Sequence, residues 1–255
     1  MSAAQIRFFA LVRRECNRFF KIKRQTLGAP LLETFLYISV FGAALGSRID
    51  KLEGIDYVVF IVPGLIMMAW AINAFSNNSS SILQQKFERA IDDQLSSPAS
   101  PLQLLTAFSL GGFLRGGIVA LLTFIVASLL VDLPVEHPFV LLPSLLLVGF
   151  FFAQLGVLVG VHAQQFDDVS FAQTFVLQPL IFLGGVFYSA ALLPEPFETL
   201  TQVNPVHHMI ALVRYGFVGL EESDVALSLG LLVLATGALF AANLWQFTRG
   251  SRLRA

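Results

Sequence analysis

The sequence has few charged residues and a single cysteine. Charged side chains make up 13% of its 255 residues, about half of the share found in ordinary soluble domains. Hydrophobic residues make up 56%, and the mean hydropathy is +0.74, a composition that predicts a membrane protein. The net charge of -1 argues against a global basic field for nucleic acid. Cys16 has no partner for an internal disulfide, so we interpret it as a reduced cytoplasmic thiol.

The sequence also lacks the motifs of a self-powered or catalytic protein. No G-x-x-x-x-G-K-[ST] loop occurs, so the chain does not itself cradle nucleotide phosphates. No Ser/His/Asp set stands out, and His207 and His208 are adjacent, which points them to different faces of a helix. We therefore predict no catalytic residue and no metal site. The spans also lack the series of carboxylates that a proton-driven pump needs.

Long apolar runs predict an all-α integral membrane protein. About 20 apolar residues cross a bilayer, and the whole chain, residues 1–255, reads as one transmembrane domain. Six runs meet the length requirement: residues 27–45, 57–78, 101–131, 139–161, 171–188 and 225–247. The second of these runs contains Pro63-Gly64, which is either a static kink or a hinge.

Residues 4–24 precede the first span and alternate apolar with basic side chains at near-helical spacing. This pattern is typical of an amphipathic helix that lies in the plane of the lipid headgroups. The helix is either a simple topology anchor or a lever that also contacts a cytoplasmic partner.

Residues 84–100 form the one strongly charged interior segment, QQKFERAIDDQLSSPAS. A short charged helix between two spans cannot bury itself, so we expect it in water at the membrane face. Ser96-Ser97-Pro98 should end this helix, because proline disfavours helical angles in the residue before it. A new helix should begin near Pro101 and run to about Val131. Asn77, Asn78 and residues 79–81 are expected to mark the exit of the second span into water.

Three polar residues interrupt the apolar runs. Glu33 lies in the first span, and either stays wet near the cytoplasmic interface or faces the bundle interior. Arg115 lies in the third span, either as an interface anchor or as the partner of Glu33 or of Asp92 and Asp93. Gln178 in the fifth span should face other helices, because an amide is costly against lipid.

Residues 189–220 are too polar and too rich in proline to span, yet too apolar for a free loop. Irregular backbone at membrane depth requires protein or water around it. We therefore predict a pair of short re-entrant or interfacial helices on the outer side. Asn204 should cap the second helix, and Pro205 should begin it. Arg214 lies farther along the same helix.

The basic residues predict the orientation of the chain. Twelve lie in the N-terminal helix, the charged segment and the C-terminal tail, whereas Arg48, Lys51 and Arg214 lie on the other side. The positive-inside rule therefore places both termini in the cytoplasm, which agrees with an even number of spans.

The sequence resembles a known family along essentially its whole length. The segments that carry the resemblance are FIVPGLIMM, FERAIDDQLSSPAS, FDDVSFAQTFVLQPLIFLGGVFYS and the pattern LLP…NP…RYGFVG, at residues 60–68, 87–100, 166–189 and 192–219. They resemble the membrane subunits of type-2 ATP-binding cassette exporters, which export drugs, polysaccharides and lipids. Many members carry Gly-Thr ahead of the acidic pair, where this sequence has Ala90-Ile91.

The resemblance implies a permease of the bacterial inner (plasma) membrane that works with a separate ATPase. Two copies of the ATPase subunit would bind ATP and magnesium, and the permease itself would bind no cofactor. It would pair with a second permease protomer, most simply as a homodimer, among membrane lipids and without nucleic acid. The charged segment 84–100 would be the coupling helix, which contacts the ATPase. The residues expected to make this contact are Arg13, Arg14 and Arg18 in the N-terminal helix and Glu88, Arg89, Asp92, Asp93 and Leu95 in the coupling helix. Asn204, Pro205 and Arg214 would belong to the outer gate.

Two other functions remain open from the sequence. One is an intramembrane lipid-modifying enzyme that uses His207, His208 and Glu198 as an acid/base set. The other is a membrane assembly factor without transport activity. For an exporter, phenylalanine-rich spans with few buried charges suit an amphipathic drug, a lipid or a lipid-linked glycan.

Overall fold

The computed structural model describes residues 2–21, 24–44 and 51–250. They form an almost wholly helical bundle with one two-stranded hairpin, in which Lys51 of β1 (Lys51–Leu52) pairs with Asp56 of β2 (Ile55–Asp56). The predicted basic tail beyond residue 250 and the loop at 45–50 lie outside the described residues. The helices are α1 Ala3–Lys21, α2 Ala29–Ala44, α3 Tyr57–Phe87, α4 Ala90–Ser96, α5 Pro101–Leu130, α6 Pro138–His162, α7 Phe166–Phe171, α8 Gln178–Leu183, α9 Phe197–Val203, α10 Pro205–Val218 and α11 Val225–Arg249.

Among the described residues, four helices are long and apolar enough to cross a membrane: α3, α5, α6 and α11. The first predicted span corresponds to a shorter apolar helical segment, Thr26–Gly42. It includes most of α2 and the end of a π-helical turn, Arg24–Gly28, that precedes α2. The fifth predicted span is divided into α7, a π-helical stretch at Ala172–Leu177, and α8. Four of the six predicted spans are therefore supported by length, and the other two stay predictions.

The helix α3 is the core of the bundle. Phe60, Ile61, Val62 and Ala71 are fully buried along it, and it packs against both α5 and α6. The expectation that Asn77 and its neighbours mark an exit into water was wrong. The helix continues to Phe87, and its polar stretch faces protein, since the side chains of Asn77, Asn78, Ser79 and Ser81 are 0% exposed.

Glycines let the backbones of α5 and α6 approach α3 closely. A Cβ on Gly112 of α5 would lie 2.5 Å from Asn78 Oδ1, and one on Gly116 would lie 2.7 Å from the Trp70 carbonyl oxygen. On α6, a Cβ on Gly160 would lie 2.9 Å from the Ser79 carbonyl oxygen. Small residues four apart are a typical contact of membrane helices, because packing rather than the hydrophobic effect drives their association.

The charged segment contains a shorter helix than the sequence predicts. The helix α3 extends to Phe87, and a turn at Glu88 and Arg89 separates it from the seven residues of α4. Arg89 adopts a left-handed conformation with φ of 55°. The predicted end at Ser96 is confirmed, as is the new helix at Pro101. Ser100 caps α5 through a reciprocal capping box with Gln103.

The two short helices predicted within residues 189–220 are present as α9 and α10. Asn204 Oδ1 accepts the backbone N–H of Val206 at 3.0 Å, and Pro205 is the first residue of α10, so both capping predictions are confirmed. The re-entrant depth of these helices stays a prediction.

The close packing of α6 on α3 predicts that Gly156→Leu destabilises the fold. A side chain there meets Phe75, whose Cα would lie 3.0 Å from the new Cβ. Overpacking of this kind costs about 1–3 kcal/mol, so the thermal unfolding temperature in detergent should fall. Gly230→Leu on α11 is the matched control, because nothing lies within 4 Å of a Cβ at that position. Equal unfolding temperatures for the two variants would contradict this account of the interface.

Candidate functional site

The polar groups of the bundle concentrate at two ends. The α4 end comprises α1, the last turns of α3, α4 and the start of α5. The α10 end comprises the hairpin, α9, α10 and residues 219–224. Most of the predicted coupling residues lie at the α4 end.

At the α4 end, α4 is held to the bundle by an apolar contact. Ile91 is 1% exposed and packs in a small cluster with Ile82 of α3 and Leu104 and Phe108 of α5. Leu95 adds a half-buried contact to the same cluster. One face of α4 is therefore fixed by burial, and the opposite face, which carries Asp93 and Ser96, is exposed.

A buried carboxylate, Glu15, joins α1 to α3. Its side chain is 1% exposed, so its charge must be compensated inside the protein. Oε1 accepts from Arg14 Nη2 at 2.8 Å and from Gln85 Nε2 at 3.1 Å, and Oε2 accepts from Ser81 Oγ at 2.6 Å. Gly111 of α5 makes room for it, since a Cβ there would lie 2.7 Å from Glu15 Cβ.

Gln94 extends this network to α4. Its Nε2 donates to Gln85 Oε1 and to the Ala90 carbonyl, and its Oε1 accepts from Arg14 Nη2 at 3.0 Å. Gln94 is 8% exposed although α4 is a surface helix. Arg14, Glu15, Gln85 and Gln94 thus form one polar clamp across α1, α3 and α4, which we call the Glu15 clamp.

Arg18 makes a second attachment of α1 to α3. Its Nη2 donates to the Asn77 carbonyl at 2.6 Å and to Asn77 Oδ1 at 2.8 Å, and its Nε lies 3.8 Å from Glu15 Oε2. Burial lowers the pKa of the Arg18 guanidinium, and Glu15 opposes that shift. The guanidinium still stays charged, because arginine does not lose its proton in proteins.

The predicted coupling residues divide into two groups. Arg14 and Arg18 turn into the bundle as described, whereas Arg13, Glu88, Arg89 and Asp93 are exposed and Asp92 is half-exposed. The exposed group offers charges of both signs to a partner, and the inward pair holds α1 in place. Contact with an ATPase stays a prediction for all of them.

The sequence interpretation missed Glu15, Gln85 and Gln94. Glu15 is the single acidic residue within α1, among several arginines, and that isolation was a usable signal. Nothing in the local sequence distinguishes Gln85 from Gln84, although the first is buried and the second is exposed.

An open cleft of about 840 Å³ runs between α1 and the end of α3. Its floor includes Glu15 and Gln85 of the clamp. Its rim is basic on the α1 side and carries Glu88 on the other side. The cleft therefore exposes Arg14 of the clamp, whose side chain is 39% exposed, while Glu15 and Gln85 stay buried.

The intramembrane polar candidates do not meet one another. Glu33 is exposed on α2, Arg115 is half-buried on α5, and neither forms an ion pair within the described residues. The alternative that pairs Arg115 with Glu33 or with Asp92 and Asp93 was therefore wrong. Gln178 is half-buried on α8.

Two amides that the sequence interpretation did not single out, Gln154 and Asn243, connect the long helices. Gln154 of α6 donates to Ser109 Oγ of α5 at 2.7 Å, and Asn243 of α11 donates to Gln154 Oε1 at 2.9 Å. Gln173 accepts from Ser76 Oγ of α3 at 2.8 Å. Such bonds join membrane helices because an unpaired amide is costly in hydrocarbon.

At the α10 end, Arg214 is the organising residue. It is 0% exposed and forms an ion pair with Glu222. Its Nε donates to the Phe60 carbonyl of α3 at 3.2 Å and its Nη2 to the Gly185 carbonyl at 2.8 Å. The guanidinium carbon lies 3.8 Å from the centroid of the Phe60 ring, a favourable cation–π distance. One side chain therefore holds α10, α3 and the segment after α8 together.

The histidines are engaged in structural hydrogen bonds. His207 Nδ1 bonds the Gly184 carbonyl at 3.1 Å, while His208 bonds Ser228 Oγ and the Gln202 carbonyl. The two rings point to different neighbours, as expected for adjacent residues on a helix. Within the described residues no group of three His, Cys, Asp or Glu side chains is arranged to hold a metal ion.

Comparison with known proteins finds one family over most of the chain. Residues 6–218 match the family described as ABC-2 type transporter. The Escherichia coli protein named inner membrane transport permease YadH is 38% identical over 94% of each chain. Nodulation protein J of Rhizobium leguminosarum bv. viciae is 23% identical over 92% of this chain and 91% of its own. Nodulation protein J of Sinorhizobium fredii is 27% identical over 89% of this chain and 87% of its own.

The Glu15 clamp predicts that Glu15→Ala releases α1 from the bundle. The change leaves Ser81 without its acceptor and removes one of the two acceptors of Gln85 Nε2, and a hydrogen bond to a charged group contributes about 1.5–3 kcal/mol. Amide hydrogen exchange within α1, measured in lipid nanodiscs, should therefore accelerate by about tenfold or more. Asn17→Ala is the matched control, since Asn17 lies on the exposed face of the same helix. Unchanged exchange in Glu15→Ala would show that the clamp does not hold α1.

The pair of Arg214 and Glu222 predicts a double-mutant effect. Arg214→Met leaves a buried carboxylate uncompensated, which costs about 3–5 kcal/mol, so the unfolding temperature should drop strongly. Replacing both partners, as in Arg214→Met with Glu222→Leu, should recover part of the loss, because no lone charge then remains buried. A double variant less stable than Arg214→Met would contradict the pairing.

Proposed function

This chain belongs to the ABC-2 type transporter family, and we propose that it is the membrane-spanning permease of an ATP-driven exporter. The proposal draws on three observations. The chain has no nucleotide-binding loop of its own, a relative of the same length is named a transport permease, and a surface helix is clamped to the membrane bundle. The last of these carries the proposal, because it provides a route for force from outside the bundle.

Energy comes from a separate ATPase subunit, which binds ATP and magnesium. Two ATPase copies act on two permease protomers, most simply a homodimer. A path between two protomers needs no polar lining within each of them, which fits a bundle whose buried amides are used to join its own helices.

The exposed charges of the α4 end form the partner-facing surface. Glu88, Arg89 and Asp93 on the α4 side and Arg13 on α1 extend into solvent. Their mixed signs give an orientation-specific contact, since complementary charge fixes register and suppresses wrong partners. Closure of the ATPases on ATP displaces this surface.

The Glu15 clamp transmits the displacement. Because Gln94 of α4 is bonded to Gln85 of α3 and to Arg14 of α1, α4 cannot move without moving both helices. Arg14 and Arg18 thus act within the permease, as attachments of the lever, and Arg13 acts at the partner surface. Side chains in one buried polar network move as a unit, since each broken bond leaves an unpaired group.

The displacement reaches the α10 end through α3. Arg214 is bonded to the Phe60 carbonyl near the beginning of α3 and to Gly185. Tilting of α3 therefore pulls on α10 and on the turn capped by Asn204 and Pro205. In this scheme these residues form the outer gate.

The proposed arrangement in the membrane follows from the family and from the spans and basic residues of the sequence. The chain lies in the bacterial inner membrane, as the name of its relative YadH states for that protein. The predicted spans at residues 27–45 and 171–188 complete six spans, α9 and α10 form the re-entrant pair, and the basic residues set both termini in the cytoplasm.

The exported compound is amphipathic: a drug, a lipid or a lipid-linked glycan. Large apolar side chains are exposed on the described surface, among them Phe35, Leu129, Phe175 and Leu234. Such a surface suits a membrane-soluble substrate as well as lipid contact. A screen of a deletion strain for drug sensitivity and for surface glycolipids separates these classes.

The structure does not favour the lipid-modifying enzyme. An acid/base set must present its groups to a reacting atom, but His208 is bonded through both ring nitrogens and His207 through Nδ1. The side chain of Glu198 accepts from Gln202 and bonds to neither ring.

Charge reversal of the acidic pair in α4 tests the function. The permease is purified together with its ATPase subunit and reconstituted in proteoliposomes. Asp92→Lys with Asp93→Lys should abolish co-purification or reduce substrate-stimulated ATP hydrolysis at least tenfold, because four units of charge change at the partner surface. The control is Asp132→Lys with Glu195→Lys, two exposed acids far from α4.

Two results would reject the assignment. If the variant in α4 retained complex formation and coupled ATP hydrolysis, α4 would not be the coupling helix. If the purified chain transported substrate without a second subunit, the exporter proposal itself would fail.

A further inference from the structure

Arg115 of α5 is a cation without a partner inside the bundle. Among the described residues it forms no ion pair and no hydrogen bond. The side chain is half-buried: its Nε is enclosed and donates to nothing, whereas Nη1 and Nη2 at its tip keep accessible surface. Because arginine carries five N–H donors and a permanent charge, the fold leaves a charged fork open at this point of the surface.

The packing of α1 along α5 places a second cation beside Arg115. The two helices run in the same direction, since their first turns are in contact and a Cβ on Gly111 would lie 2.7 Å from Glu15 Cβ. One turn farther along each helix, Arg115 follows Gly111 and Arg18 follows Glu15. The guanidinium groups of Arg18 and Arg115 are near enough for their charges to repel.

The carboxylates of the neighbouring helices do not neutralise Arg115. The oxygens of Glu15 are occupied by donors of α1 and α3. Glu33 of α2 lies farther along the bundle, because Thr34 Oγ1 is 3.3 Å from Thr123 Oγ1 and Thr123 is about 12 Å beyond Arg115 along α5. Within the part of the chain that the structure describes, Arg115 therefore has no counter-anion.

The position of Arg115 along α5 indicates which anion reaches it. The helix is long and apolar enough to cross a membrane, and Arg115 precedes its last residue, Leu130, by 15 positions, about 22 Å along the axis. A hydrocarbon core of about 30 Å then ends about 8 Å from Arg115 on the side of α4. A long arginine side chain extends that far toward the headgroups. Leu114 and Leu121 of the same helix are exposed, as expected of a surface in contact with acyl chains.

We propose that Arg115 and Arg18 bind the phosphate of an anionic phospholipid at the α4 end of the bundle. The planar fork of a guanidinium matches two phosphate oxygens, and basic pockets between membrane helices bind anionic headgroups. The phosphate offsets the repulsion between the two cations and joins α1 to α5. This binding needs neither the ATPase nor the exported compound.

The test is the thermal unfolding of the purified, delipidated full-length chain in non-ionic detergent. The probes are phosphatidylglycerol, phosphatidylcholine with the same acyl chains, and inorganic phosphate. Phosphatidylglycerol should raise the unfolding temperature in a saturable way, because a ligand that binds the folded state stabilises it. Zwitterionic phosphatidylcholine should need about tenfold more lipid for the same rise, and inorganic phosphate should give no saturable rise.

Arg115→Gln locates the site. It should weaken the binding of phosphatidylglycerol by about tenfold or more, because it removes a charged donor to the phosphate. Without lipid, Arg115→Gln should unfold at the same temperature as the unchanged protein or higher, because the guanidinium makes no bond with the described residues. A residue that merely supported the fold would give the opposite result in lipid-free detergent.

Arg249→Gln is the matched control. It removes one positive charge from the same end of the bundle, where Phe247 of α11 packs against Phe108 of α5. Arg249 is exposed and its guanidinium carbon lies 4.1 Å from the centroid of the Trp245 ring. This variant should bind phosphatidylglycerol as the unchanged protein does.

Four results would overturn the proposal. Equal stabilisation by phosphatidylcholine would show a contact with acyl chains alone, and a saturable effect of inorganic phosphate would assign the site to a free anion. Equal loss of binding in Arg115→Gln and Arg249→Gln would show diffuse attraction to charge. A strongly lowered unfolding temperature of lipid-free Arg115→Gln would show that Arg115 has a partner within the protein. The exporter proposal stands apart from these results, because its own test changes α4.

Discussion

The carboxylate of Glu15 is the constraint on which the α4 end depends. A charge that is 99% shielded from solvent must find donors within the protein, and here they come from α1 itself and from two residues of α3. The same residue of α3, Gln85, binds Gln94 of α4. Satisfying one buried charge therefore fixes three helices relative to one another, including the short surface helix α4.

Arg214 applies the same physics at the other end of the bundle. It is a fully buried cation whose partners lie on α3, after α8 and after α10. Phe60, which Arg214 contacts, and Gln85, which belongs to the Glu15 clamp, are 25 residues apart on α3, about 37 Å along the helix axis. The helix α3 therefore connects two clamped ends, and glycine contacts from α5 and α6 hold its middle. A central helix with polar attachments at each end is consistent with the proposed transfer of movement from the α4 end to the α10 end.

The polar residues of the bundle fall into two classes, buried amides that join helices and exposed charges on the surface. Gln154, Asn243 and Asn78 are almost fully buried and form hydrogen bonds to other helices, so they hold the long helices together. The exposed charges of α4 make few bonds within the chain, which leaves them available to a partner. Between these two classes lie Arg14 and Arg18, which the resemblance assigns to the partner surface and which the fold uses to hold α1.

The sequence by itself determined the membrane class, the boundaries set by local chemistry and the family. The end of α4 at Ser96, the beginning of α5 at Pro101 and the cap of α10 by Asn204 and Pro205 follow from proline geometry and side-chain capping, which act over a few residues. Only the tertiary structure decided that Asn77, Asn78, Ser79 and Ser81 are buried, that Arg14 and Arg18 bond to partners within the bundle, and that Glu15 is paired with Ser81 and Gln85. Those outcomes depend on partners about 60 to 80 residues away in the chain, and a local pattern cannot indicate which distant side chain will meet it.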